Sequence, residues 1–172
     1  VGDQAHVLDE DVEGTLDLVG AVHHAFPAVV EHERGRRAVA ELRQIAQGIR
    51  PSSLDDGLEA AVARLVQNVP VAMEMQVLAG PLPDDVATTA YFVISEAVTN
   101  AVKHANASRI GLRVVHEDGR VLVQVSDDGR GGARLPEGSG IADRVAALGG
   151  SLAVTSPVDR GTIVEATLPC VS

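Results

Sequence analysis

Aromatic side chains are nearly missing from this 172-residue chain: there is one Tyr, two Phe and no Trp, 2% in all. A core without large rings must be assembled from small aliphatic groups, and the 45% apolar content, mostly Ala and Val, points to closely packed helices. Cysteine is almost as scarce. Cys170 stands alone near the end, which excludes an intrachain disulfide framework and a thiolate metal cluster and fits a reducing compartment. Positive charge is also short, 14 Lys and Arg against 24 Asp and Glu, for a net charge of −10. With no basic patch in view, a general nucleic-acid or anionic-membrane surface is not expected, and the partners to look for are small molecules or other proteins. No apolar run approaches the roughly 20 residues of a membrane helix, and the acidic start lacks the basic and apolar regions of a signal peptide, so the piece reads as soluble and cytoplasmic. Its opening Val leads us to expect a processed or excised fragment, with room for a membrane or sensor part upstream in the parent.

What is present begins with the stretch from Tyr91 to His104. At helical spacing Glu96, Asn100 and the pair Lys103 and His104 fall along one side, among Phe92, Val93, Ala97, Val98, Ala101 and Val102. An amphipathic helix with Glu and Lys outside is common in soluble proteins. A carboxylate with a carboxamide one turn later, however, also suits a hard oxygen-ligated cation such as Mg²⁺. A second signal lies downstream, in Asp127-Asp128-Gly129-Arg130-Gly131-Gly132, then Gly138-Ser139-Gly140 and Gly161-Thr162. Asp and Gly in such a run serve a turn equally well, yet the run follows a strand and leaves backbone amides open to a ligand.

The remaining pattern gives the layout. Helical spacing over residues 3–30 is broken by Gly14, Gly20 and Pro27, and a clearer helix covers Glu31 to Ile49, stopping at Pro51. A helix from Gly57 to Val69 is followed by a strand from Val71 to Leu78 and the long helix from Asp84 to about His104. Strands Arg109–Val115 and Arg120–Ser126 form a hairpin on Glu117-Asp118-Gly119. A short helix, Ile141 to Leu148, precedes a last hairpin of Leu152–Thr155 and Thr162–Leu168. That order predicts an α+β layer sandwich.

Taken together, the helix with Glu96 and Asn100 resembles the N box of sensor histidine kinases, and Asp127 to Gly131 resembles their G1 box. Gly138-Ser139-Gly140 resembles the G2 box, and Gly161-Thr162 the final glycine box. The motif Glu41-Leu-Arg-Gln-Ile-Ala-Gln-Gly-Ile-Arg50-Pro51, with Leu54 and Gly57-Leu58, is similar to the second helix of the dimerisation region in the subgroup that partners NarL-type response regulators. The resemblance implies a two-layer α/β sandwich of the Bergerat ATP-binding type, a mixed sheet covered by helices on one face. A helical segment over 1–51, a partial dimerisation and phosphotransfer region, would precede an ATP-binding domain over 52–172.

It further implies a kinase core that binds Mg-ATP and passes phosphate to a histidine and on to a response regulator, as a homodimer through its N-terminal helices. Glu96 would be the general base and Asn100 the Mg²⁺ ligand, with Lys103 and His104 near phosphate oxygens. Asp127 would accept from the adenine amine, with Gly129 and Gly131 allowing close approach. Gly138 and Gly140 would flank a lid, and Thr162 would support the adenine contact.

Two departures stand out. Gly140 runs straight into the helix beginning Ile141, so either the lid is short or about three residues are missing there, which a chain break would reveal. No acceptor His-Asp pair is present: His32-Glu33 sits too close to Glu41, and His6, His23 and His24 have no acidic follower. A nucleotide-gated interaction module, or a serine kinase of the anti-sigma type, is therefore the alternative.

Overall fold

The computed structural model describes residues 51–67, 69–134 and 140–170. The helices expected over 3–30 and 31–49, the domain segment 1–51 apart from Pro51, the motif from Glu41 to Arg50, the four histidines before Pro51 and Gly138 all lie outside them. A 3₁₀ turn, Ser52–Asp56, leads into α1, Gly57–Val66, whose Leu58, Ala61 and Val62 are buried at the i, i+3, i+4 spacing of one helix face. Strand β1 is Ala72–Leu78, and α2 is Asp84–Asn100. At the start of α2, Asp85 accepts its neighbour's Val86 N–H at 2.8 Å, and two acids in the first turn suit the positive end of the helix dipole.

Ten of the 17 residues of α2 are buried, with Thr89 to Ile94 buried without interruption. The middle of the helix is thus enclosed on all sides, and polar groups are presented outward only towards its two ends. Small Ala side chains at 87, 90 and 97 let neighbouring elements approach closely.

Strands β2, Arg109–Glu117, and β3, Arg120–Asp127, close on a two-residue loop in which Asp118 (φ 50°) and Gly119 (φ 69°) both adopt the positive φ of a primed hairpin turn. Both strands reach one or two residues beyond the range expected from alternation. Helix α3, Gly140–Ala147, is followed by β4, Ser151–Thr155, and β5, Thr162–Pro169. Helix α3 runs from Gly140 directly into Ile141 as one element, without a break in the chain between them.

The sheet order is β1-β2-β3-β5-β4, with β1 and β2 parallel and every other pair antiparallel. Parallel neighbours need a crossover, which α2 supplies. Leu112 and Val114 of β2 are in register with Val125 and Val123 of β3, and Val123 in turn with Ala166 of β5; with Ile110 these side chains form the core on the helical side. The opposite face carries Arg113, Gln124 and Glu165 in one row, with Gln124 Nε2 donating to Glu165 Oε1 at 2.9 Å. One buried and one solvated face is the usual condition of antiparallel sheets. The architecture is the α+β two-layer sandwich with a mixed sheet. Among the described residues no helix is long and apolar enough to cross a membrane.

Candidate functional site

The exposed end of α2 holds the first group of side chains. Asn100 Nδ2 donates to Glu96 Oε1 at 3.1 Å, which turns the amide oxygen of Asn100 away from the carboxylate and leaves it available. Two hard oxygen donors one helical turn apart fit a divalent cation that is completed by phosphate oxygens and water, the usual way Mg²⁺ is held. Among the described residues no three His, Cys, Asp or Glu side chains cluster into an all-protein cage, so such an ion would rely on its ligand for the remaining oxygens.

After Asn100 the helix changes type. Ala101–Ala105 form a π turn, ended by Asn106 in the left-handed conformation (φ 53°, ψ 39°). The widened turn changes the expected line-up: Lys103 and His104 are still exposed at the end of the helix, but no longer on the straight α-helical stripe through Glu96 and Asn100. Neither makes an ion pair among the described residues.

The π turn has a further consequence for the glycine loop. The Ala105 carbonyl accepts the Arg130 N–H at 2.8 Å, and a Cβ at Gly129 would collide with that carbonyl and with the Ala105 methyl. Gly129 is therefore demanded by the helix end, whatever it does for a ligand. Gly131 (φ 62°) is pressed in the same way against the Pro157 carbonyl. The loop is stitched to the β4–β5 turn by Gly161 N–H to Gly129 O at 2.8 Å, Asp159 N–H to Arg130 O at 2.7 Å and Gly132 N–H to Ser156 O at 3.0 Å.

Asp127 and Thr162 are directly opposed across β3 and β5. Asp127 is half-buried and accepts the Gly129 N–H through Oδ1 at 2.8 Å, while Thr162 is buried. Gly161 (φ 71°) lets the two strands close, since a Cβ there would meet the Asp127 carbonyl. Gly140 lies at the start of α3, exposed, with open space where a Cβ would stand. The structure thus brings together Glu96 with Asn100, and Asp127, Gly129 and Gly131 with Thr162.

Two residues that the motifs left unassigned hold this arrangement. Asp128 accepts three hydrogen bonds, from Ser108 Oγ (2.6 Å), Ser108 N–H (2.7 Å) and Arg109 N–H (2.9 Å). The Ser108 hydroxyl first, then the backbone amides of Arg109 and Ser108, hold its carboxyl down from 3.8 to about 2. Ser156 Oγ lies 2.9 Å from Thr162 Oγ1 and accepts the Ala133 N–H at 2.9 Å. A pair of adjacent acids at 127 and 128 hinted at the first; no sequence signal marked the second.

On the helical side, the Arg144 guanidinium of α3 sits 4.9 Å from the centroid of the Phe92 ring of α2. That cation–π contact fastens α3 to the helix that carries Glu96.

A family model for histidine kinase-, DNA gyrase B- and HSP90-like ATPases matches residues 85–172, slightly more than half of the chain. The chain is 29% identical over 147 residues to the oxygen sensor histidine kinase NreB of Staphylococcus carnosus, covering 77% of this chain and 42% of that protein. It is 31% identical over 144 residues to the signal transduction histidine-protein kinase/phosphatase UhpB of Salmonella typhimurium, covering 74% of this chain and 28% of that protein. The chain thus spans less than half the length of these curated relatives. Among solved structures, the histidine kinase domain of the blue-light activated histidine kinase of Erythrobacter litoralis is 26% identical with a TM-score of 0.55, over 65% of this chain and 58% of that one. The chain belongs to the histidine kinase-, DNA gyrase B- and HSP90-like ATPase family, as an ATP-binding core of the sensor histidine kinase kind with the Bergerat fold.

Proposed function

We propose that this chain is the ATP-binding part of a two-component kinase: it binds Mg-ATP, donates the γ-phosphoryl to a histidine on an acceptor helix, and so supplies a NarL-type response regulator. The observation that carries this reading is the hydrogen bond from Arg130 N–H to Ala105 O, because it fastens the Asp127 loop to the end of the Glu96–Asn100 helix. One cleft then has an acceptor-rich end for a purine amine and an oxygen-donor end for a metal-bound triphosphate. In this reading the Asp127 carboxylate receives the adenine amine beside Thr162, and Gly131 keeps the loop close to the base. Asn100 offers its amide oxygen to Mg²⁺, which when bound neutralises charge on the phosphates. Glu96 orients and deprotonates the attacking group. Lys103 and His104, exposed at the helix end, supply positive charge and a donor to phosphate oxygens. Gly138 and Gly140 flank a lid over the phosphates. Residues 1–51 belong to a dimerisation and phosphotransfer region, so the parent protein is a homodimer, with its kinase part in the cytoplasm.

Full-length protein incubated with γ-labelled ATP tests the reading. Acid-labile label is the expected result and marks phosphohistidine. Acid-stable label would indicate a serine kinase, and retained ATP binding without label would indicate a nucleotide-gated module. Asn100→Ala is expected to abolish the Mg²⁺ dependence of nucleotide affinity, and unchanged dependence in calorimetry would contradict its role. Glu96→Gln should keep ATP affinity while lowering the transfer rate by about 10²–10⁴-fold, the scale of a lost general base.

A further inference from the structure

Ser156 lies half-buried where β4 ends, outside the four motifs of the site. Its hydroxyl accepts the Ala133 N–H at 2.9 Å, stands 2.9 Å from Thr162 Oγ1 and reaches the Gly161 carbonyl at 3.4 Å. A hydroxyl has one proton and two lone pairs, so the direction of the Ser156–Thr162 bond can be argued by counting. With Ala133 occupying one lone pair, two arrangements remain. If Ser156 donates to Thr162, the Thr162 proton has no other acceptor among the described residues, although Thr162 is only 8% exposed, and the approach to Gly161 O goes unused. If Thr162 donates to Ser156, the Ser156 oxygen accepts twice and its own proton turns to Gly161 O, and every one of these groups is engaged. Buried polar groups favour the arrangement that leaves none unmet.

We infer that Ser156 is a positioning residue for base selection: by taking the Thr162 proton it leaves the Thr162 oxygen as a pure acceptor next to the Asp127 carboxylate. Two acceptors opposed across β3 and β5 favour a base that presents an exocyclic amine and disfavour one that presents a carbonyl at the same place. Ser156 thereby sets adenine over hypoxanthine or guanine without touching the base. The same oxygen holds the Ala133 amide, so base selection and the end of the glycine loop share one anchor. The inference rests on the reading of Asp127 and Thr162 as the base end of a nucleotide site.

Calorimetric affinities for ADP and inosine diphosphate, measured on the unaltered chain, Ser156→Ala and Ser156→Thr, test it. The unaltered chain should prefer ADP. In Ser156→Ala the ADP-to-inosine ratio should shrink by roughly tenfold, the affinity scale of one hydrogen bond. Ser156→Thr, which restores a hydroxyl, should recover most of it. A general loosening of the fold would weaken both nucleotides together, so an unchanged ratio in Ser156→Ala overturns the inference. Should Ser156→Ala not fold, the Thr162 hydroxyl proton of the unaltered chain decides by NMR: directed at Ser156 it supports the inference, directed at Asp127 or solvent it overturns it. Absence of ADP binding by the unaltered chain would instead overturn the nucleotide reading beneath it, a failure distinct from an unchanged ratio.

Discussion

Asp128 and Gly161 show how single residues fix the site. Three hydrogen bonds favour the charged form of Asp128, and its carboxyl is held at about 2. A depressed carboxylate contributes to stability when ionised, so this anchor is complete above about pH 4 and is lost as pH falls through about 2. NMR titration of the Asp128 side-chain carbon should show a midpoint near 2, and Ser108→Ala should move it upward; a midpoint at the ordinary value in the unaltered chain would remove the anchor from the account. At Gly161 the demand is steric. Gly80 has a similar φ, +61° against +71°, but open space around it. Gly80→Ala should cost about 1–2 kcal/mol, the usual penalty of the left-handed region. Gly161→Ala should cost a further ~1–3 kcal/mol from overpacking against the Asp127 carbonyl, read as the difference in urea unfolding between the two variants. At this scale the sequence was partly legible. Asp127, Gly129 and Thr162 stand in recognisable strings, whereas Asp128 and Ser156 act on partners 19 to 23 residues away, Arg109, Ser108 and Ala133, and such pairings exist only once the sheet has formed.

Among the elements, α2 and its end matter most to the site. Its apolar run and polar row announced a helix with a polar face, but the π turn at Ala101–Ala105, whose last residue packs against Gly129, left no mark in the spacing. Asn106 closes it with φ 53°. Asn106→Gly should leave stability nearly unchanged, and Asn106→Val should lose about 1–2 kcal/mol and weaken nucleotide affinity, because the turn that presents Lys103 also supports the Asp127 loop. Equal unfolding midpoints for the Gly and Val variants would contradict that view. The two hairpins were legible from alternation and turn residues, most plainly at Asp118-Gly119, where both residues adopt the positive φ that such a pair permits.

Over the whole molecule, the sheet order β1-β2-β3-β5-β4 makes the site possible. Placing β5 beside β3 sets Thr162 against Asp127, and the crossover through α2 brings Glu96 and Asn100 to the same end of the sheet as the glycine loop. The sequence showed the number and kind of elements but not this order, since strand pairing is decided by tertiary contacts that no local pattern contains. The claim that one cleft joins the base end to the phosphate end is tested most directly by titrating the isotope-labelled chain with Mg-ADP and following backbone amide shifts. The largest changes are predicted at Asn100, Gly129, Gly131 and Thr162, on both sides of the Ala105–Arg130 contact. Changes confined to the open sheet face around Gly111, Arg113 and Gln124, or none at all, would contradict the account.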